Sequence, residues 1–318
     1  MKFYLGTHQP SWLARDLGVP LLVSHHRLAG RRTLPRASGP WALDSGGFTE
    51  LSLHGHWRTD TATYVQAVRR YATEIGHLDW AAPRDWMTEP HVLARTGLSL
   101  RTHQHRTVTD YLRLRDLAPE LPIIPVLQGQ TITDYHRCAD LYEHHGINLA
   151  ALPLVGIGSI CRRQHTYEVE QIIHALAHRG YRLHAFGAKV LGLSRYATHL
   201  ASSDSAAWSF RGRHLPGCAP GHRSESNCLR FALAWHRHLT DRVPEITPPV
   251  DTAAGIPPRP GNSSQPPNSG PARTRPRRPR SNCTQGARHG QQRSTSSRPP
   301  GRTPTTGTRQ PSPTSPRR

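Results

Sequence analysis

The sequence predicts a parallel α/β fold, a (β/α)8 TIM-like barrel, followed by a basic tail that builds no core. Three observations carry this prediction. Between Met1 and about Val243, short apolar runs alternate with stretches of helical periodicity, the pattern of strands joined by crossover helices. Seven or eight such units fit into about 240 residues, which suits a closed barrel better than an open sheet. An open doubly wound sheet is the alternative, but neither a phosphate loop nor a dinucleotide fingerprint accompanies it. From Ile246 onward the chain is Pro, Ser, Thr, Gly, Gln and Arg with almost no large apolar residue, too little apolar surface to offset the entropy of ordering. The expected division is therefore a barrel over 1–245 and a disordered tail over 246–318.

Taken in order, the apolar runs are "PLLVSHH", "WALDSGG", "HLDWAAP", "LPIIPVLQG", "LAALPLVGIGS", "YRLHAFGA" and "HLASSDS". Each ends in a polar or Gly-rich turn, as a strand feeding a helix does. Between them, "TATYVQAVRRYATEIG" places Tyr64, Val65, Val68, Tyr71, Ala72 and Ile75 on one helical face. "TDYHRCADLYEHHG" and "TYEVEQIIHALAHRG" read the same way and close on Gly146 and Gly180, the residue type that ends helices in a left-handed turn. The residues ending the runs, Asp44, Asp79, Gln128, Gly158, Gly187 and Asp204, are expected on one rim. In such barrels the C-terminal rim carries the chemistry.

Charge narrows the partners. The formal net charge is +20. The tail contributes 13 Arg against one Asp, or +12, which leaves +8 on the body. A basic body with an Arg-rich tail suits a polyanion, most commonly nucleic acid. Only Lys2 and Lys189 are lysines, so a general preference for Arg is the competing explanation. No apolar run is long enough to cross a membrane. "MKFYLGTHQPSWL" has neither the apolar core nor the cleavage site of a signal peptide. Five cysteines at irregular spacing argue against a disulfide scaffold, and the expected compartment is cytoplasmic.

Asp44 in "LDSGGF" and Asp204 in "SSDSAAW" both follow an apolar run and precede small residues. Two carboxylates on a shared pocket are the minimal equipment for exchange at a sugar anomeric carbon: one attacks carbon, the other moves a proton on the leaving group. Taken singly, each Asp reads equally well as the cap of a following helix.

"DSGGF", "LQG" after "PIIPV", the Gly-rich "LVGIGS" and a late "SSDS" occur in the order found in tRNA-guanine transglycosylases. Residues 1 to about 240 resemble that superfamily. "LGTHQPSWL", "DWAAPRDWM" and "GIGSICRR" resemble its DNA-directed branch more closely, the deazapurine-in-DNA A proteins of phages and bacteria. The resemblance implies that Asp204 is the nucleophile on C1′ and that Asp44 serves in proton transfer. It implies that Asp79 reads the N–H edge of the purine, with Asp85 as the fallback. Gln128 would bond the carbonyl side, and backbone N–H groups near Gly156 and Gly158 would approach the base. An acceptor-only carboxylate suits the adjacent donors of guanine, and the target base has to leave the stack to reach such a pocket. For Gln128, Gly156 and Gly158 the plainer reading is an ordinary strand–helix turn, and Phe48 could stack on the base, although a Phe beside a strand is more often core. Arg162 and Arg163 are candidate phosphate contacts, with a merely solvated pair as the alternative.

The tRNA enzymes carry a structural zinc on a tight Cys-x-Cys-x-x-Cys and a later His. Here "GCAPGHRSESNCLRFALAWHRH" offers Cys218, His222, Cys228 and His236 within 218–238 at a different spacing. A reduced pair of cysteines is the alternative. His25–His26 and His144–His145 read as surface or loop residues. The implied activity is exchange of guanine in DNA, favoured over tRNA, for a 7-deazaguanine such as preQ0. Beyond a candidate structural zinc it needs no redox or nucleotide cofactor, and helper ATPase or helicase proteins are candidate partners. The rivals are the same chemistry on tRNA and a catalytically inactive nucleic-acid-binding subunit.

Overall fold

The computed structural model describes residues 1–243, so the expected tail over 246–318 and its boundary lie outside the described residues. Eight parallel strands curl into a TIM-like barrel: β1 (Lys2–Thr7), β2 (Leu21–Ser24), β3 (Trp41–Asp44), β4 (Leu78–Ala81), β5 (Val126–Leu127), β6 (Val155–Ile157), β7 (Leu183–Ala185) and β8 (Ser202–Ser205). They hydrogen-bond in the order β4-β3-β2-β1-β8-β7-β6-β5. The β4 and β5 edges meet only through the bridge between Ala81 and Ile123. There, Ala81 N–H donates to Pro122 O at 2.9 Å and Ile124 N–H donates to Ala81 O at 3.1 Å. Proline at 122 and 125 removes two donors from this edge, which explains why β5 is only two residues long.

Seven strands fall within the apolar runs read from the sequence. The eighth, β1, lies in the N-terminal "KFYLGT", where five of six residues are buried.

The helices are α1 (Gly47–His54), α2 (Thr61–Glu74), α3 (Pro90–Thr96), α4 (Leu100–Leu117), α5 (Ile132–His144), α6 (Tyr167–His178), α7 (Val190–Tyr196), α8 (Ala207–Gly212) and α9 (Leu229–Thr240). Side chains cap the long ones. Asp60 accepts from Thr63 N–H at the start of α2, and Ser99 from Thr102 N–H at the start of α4. Thr131 and Asp134 form a reciprocal capping box on α5. Tyr64, Val65, Val68 and Tyr71 of α2 are buried as their spacing predicts, and Gly146 and Gly180 take the left-handed conformation beyond α5 and α6.

The regular alternation fails between β1 and β3. Only two short 3-10 turns, Pro10–Ala14 and His25–Arg27, occur there. The C-terminal helix α9 covers β1 instead: His236 Nε2 lies 3.1 Å from Phe3 O, with the two rings 5.5 Å apart. Inside the barrel, Tyr4, Leu22, Ala42, Trp80, Ala82 and Ile124 pack together beneath the rim, filling it with side chains as small barrels require.

Trp208 of α8 is fully buried, stacks on Trp12 with centroids 5.5 Å apart, and donates its indole N–H to Gly6 O at 2.7 Å. It therefore pins the end of β1 to the segment after β8. Trp208→Ala is expected to cost about 3–5 kcal/mol, measured as a lower urea midpoint at unchanged m-value.

Candidate active site

Strand polarity decides which residues reach the C-terminal rim. Asp44 is the last residue of β3 and stands in register with Ser24 at the end of β2. Asp204 in β8 stands in register with Tyr4. Asp85 lies four residues beyond β4, on a loop over 82–89 in which every residue is buried. All three side chains line one cavity of about 290 Å³. Its floor and walls include Phe186, Met87, Gly158 and Ser159, and Phe48 stands at its edge.

Asp85 has the most constrained surroundings. Gln128 Nε2 donates to its Oδ2 at 2.5 Å. Gln128 is itself fully buried, and its backbone oxygen accepts from Gln104 Nε2 at 2.7 Å. Burial first, and then the Asp44 charge, push the Asp85 carboxyl up to about 7 against the opposing pull of the Gln128 bond. Asp44 is also raised: burial lifts it, a hydrogen bond from Ser24 opposes, and the Asp204 charge adds to the rise. Gly46 N–H donates to Asp44 Oδ2 at 3.2 Å. Crowding carboxyl groups in one dry cavity disfavours ionising all of them together.

Asp204 is buried, and its Oδ1 accepts from Gly187 N–H at 3.0 Å. His184 Nε2 lies 3.3 Å from the same oxygen, and its Nδ1 is 2.9 Å from Ser202 Oγ. His184 is fully buried, between Trp80 and Phe186 at ring distances of 4.5 Å each. Ser159 adopts φ 57°, a left-handed conformation that is uncommon for a residue with a side chain. It turns its Oγ to accept from Thr88 N–H at 2.8 Å and to face both Glu89 Oε2 at 2.9 Å and Gln128 Oε1 at 2.6 Å. Its single proton serves one of those acceptors at a time.

Several expectations need correction. Asp79 is not at this rim. It sits near the start of β4, at the opposite end of the barrel, ion-paired with Lys2 and accepting from Tyr4 Oη at 2.8 Å. The strand runs two residues past it, so the carboxylate that reaches the cavity is Asp85. Gly156 lies in β6, where an added Cβ would fall 2.7 Å from the Phe186 ring, so its smallness accommodates Phe186. At Gly158 the Cβ would meet Gln128 Nε2, so that glycine makes room for the residue holding Asp85. In "DSGGF", Gly46 takes φ 80° and packs on His26, while Gly47 packs on Trp57. Their close neighbours are protein side chains. Phe48 is not core: it is 42% exposed, with the Arg162 guanidinium 5.7 Å from its ring. Arg163 is tied to Ser159 O, Gly129 O and Glu168, whereas Arg162 is exposed. His25 is buried against Tyr71.

The residues missed from sequence are His184, Ser45, Ser159 and Glu89. Only His184, a polar residue inside the apolar run "YRLHAFGA", left a visible signal.

After α8, Cys218 Sγ lies 3.4 Å from His222 Nδ1 and 3.5 Å from Cys228 Sγ. Thiolate and imidazole donors gathered so closely can hold a metal ion. His236 is not part of this group: it is buried against Phe3 O on the far side of α9's start.

A parallel barrel with carboxyl groups converging on a small cavity at its C-terminal rim has the layout of a barrel transglycosylase. The sequence pattern of the DpdA family, DeoxyPurine in DNA protein A, matches residues 1–256, and the chain belongs to that family. Membership supports a DNA-modifying function of the guanine-transglycosylase type. No curated protein matches the chain.

A carboxyl whose folded pKa is raised binds its proton more tightly in the native than in the unfolded state. It therefore contributes stability that is fully present below about 4 and is lost as pH rises through about 7. Asp85→Asn is expected to remove this part of the decline, so that the variant gains on the wild type as pH rises from about 4 to about 7. Paired urea titrations across that range measure it.

Proposed function

We propose that the protein exchanges guanine in DNA for a 7-deazaguanine base by double displacement through Asp204. The observation that carries this reading is the convergence of Asp44, Asp85 and Asp204 on one cavity in a chain of the DpdA family. At about 290 Å³ the cavity suits a small flat heterocycle, near the lower end of ligand pockets.

Asp204 attacks C1′ of a flipped nucleotide through a carboxylate oxygen as the C1′–N9 bond breaks, leaving a covalent sugar–enzyme ester. The Gly187 N–H bond orients the carboxylate for that attack. Asp44, whose raised pKa favours the protonated form, gives its proton to the departing purine. The incoming base then returns a proton to Asp44 as its nitrogen attacks C1′ and frees Asp204. Two inversions give overall retention. Asp85, held by Gln128, accepts from adjacent N–H donors of either base. Phe48 and Arg162 sit at the mouth, where a sugar–phosphate enters.

Cys218, His222 and Cys228 would hold zinc, as their donor set favours. These three side chains leave the fourth position of a tetrahedral site to a further ligand. The metal's contribution is structural, tying the 218–228 loop to the start of α9.

Asp204→Asn is expected to lower exchange by several orders of magnitude and to abolish the covalent complex trapped on denaturing gels. Asp44→Asn is expected to lower exchange by about 10²–10⁴-fold. The assay follows labelled guanine or preQ0 into duplex DNA, single-stranded DNA or tRNA. Label entering tRNA alone would move the activity to RNA, and undiminished exchange by Asp204→Asn would overturn the mechanism.

Metal analysis of purified protein is expected to give about one zinc per chain through a tetrahedral site. Chelation and Cys218→Ser should each lower the melting temperature, with no further loss when the two are combined.

A further inference from the structure

The buried loop over 82–89 is a wall with two faces. Asp85, Met87 and Glu89 line the reaction cavity, while Arg84 and Trp86 line a second groove of about 500 Å³ between α2 and α4. The opposite side of this groove is one stripe of α4. Thr102, Arg106, Thr109 and Arg113 recur at spacings of four, three and four residues and all line it, as residues on a single helical face do.

The charges in the groove are not balanced. Asp60 is committed to capping α2, Asp110 is paired with Arg84 at 3.1 Å, and Arg58 is held bidentately by Glu50. Arg106 and Arg113 are exposed and have no ion-pair partner among the described residues. The Arg106 guanidinium lies over the Trp86 ring, 4.4 Å from its centroid, a contact that uses none of its N–H donors. Arg84 is 8% exposed, and its Nε has no partner; the same is true of Trp57 Nε1 and of Asp110 Oδ2. Those atoms are buried behind the groove wall, and its accessible set of two unpaired guanidinium groups and two threonine hydroxyls suits phosphate and sugar oxygens.

We infer that this groove binds the phosphodiester backbone of the DNA strand whose base occupies the reaction cavity, with Arg106 and Arg113 as the principal phosphate contacts. This inference rests on the proposed DNA exchange. It adds that one loop separates the base from its flanking backbone and grips both. Substrate affinity is thereby built partly into the barrel wall.

The test uses the full chain and a labelled single-stranded oligodeoxynucleotide containing guanine, with binding followed by fluorescence anisotropy over a salt titration. Loss of two phosphate contacts in Arg106→Gln/Arg113→Gln is expected to flatten the slope of log K against log salt by about 1.4, at roughly 0.7 per contact. KM for DNA should rise more than kcat falls, the melting temperature should hold, and Arg106→Lys/Arg113→Lys should recover most of the slope. Unchanged slope and KM in the Gln variant, with the wild type binding normally, would overturn the groove alone. The same holds if the variant loses only inorganic phosphate binding. Weakened DNA binding in a protein that exchanges no base would support the groove while sinking the proposed reaction. A wild type that binds no oligonucleotide would overturn both.

Discussion

The contact between Gln128 Nε2 and the Asp85 carboxylate is the constraint on which the rest of the site depends. It joins β5 to the loop after β4, inside a cavity where an ionised carboxylate loses its water. Gln128 can hold Asp85 because Gly158 has no side chain to exclude it. It is oriented by Ser159, whose left-handed backbone turns a hydroxyl onto its amide oxygen. Three consecutive strand ends thus converge on one carboxyl group. Burial and then the Asp44 charge raise this carboxyl, while the Asp204 charge adds to the rise of Asp44 itself.

Parallel strand polarity imposes a second order on the molecule. Every strand delivers its last residues to the same rim, so carboxylates there are forced together, while those at strand starts find salt-bridge partners at the opposite end, as Asp79 does with Lys2. His184 links the two regions. Its ring belongs to the aromatic filling of the barrel, yet its nitrogens reach Ser202 on one side and Asp204 on the other. The Asp204 carboxylate thus lies beside the aromatic core and is held there by the Gly187 N–H.

Much of this was legible in the sequence, for physical reasons. A carboxylate closing an apolar run and followed by small residues marks the end of a parallel strand, which is why Asp44 and Asp204 could be placed on one rim together. Helix spacing and C-terminal glycines placed α2, α5 and α6. The errors share a cause. "HLDWAAPRDWM" has two aspartates near a strand, and only the number of residues the strand runs past each one separates bottom from top. Strand ends are poorly marked where Ala and Pro continue an apolar run. His236 resembled a ligand because sequence distance says nothing of which helix face it occupies, and that face packs on β1. The exposure of Phe48 leaves no mark in the sequence, because it depends on a pocket that the chain forms only when folded.

The β4–β5 seam, closed by a single bridge, gives the ring a clasp. Seven of its eight junctions are strand ladders, and the eighth is held at the rim by the side-chain bond from Gln128 to Asp85. Mechanical closure of the barrel and the charge of its pocket are therefore written into the same pair of atoms. On the proposed reading, a base that takes over the Asp85 acceptor would compete with the clasp, so that capture of the base and closure of the seam would act on each other.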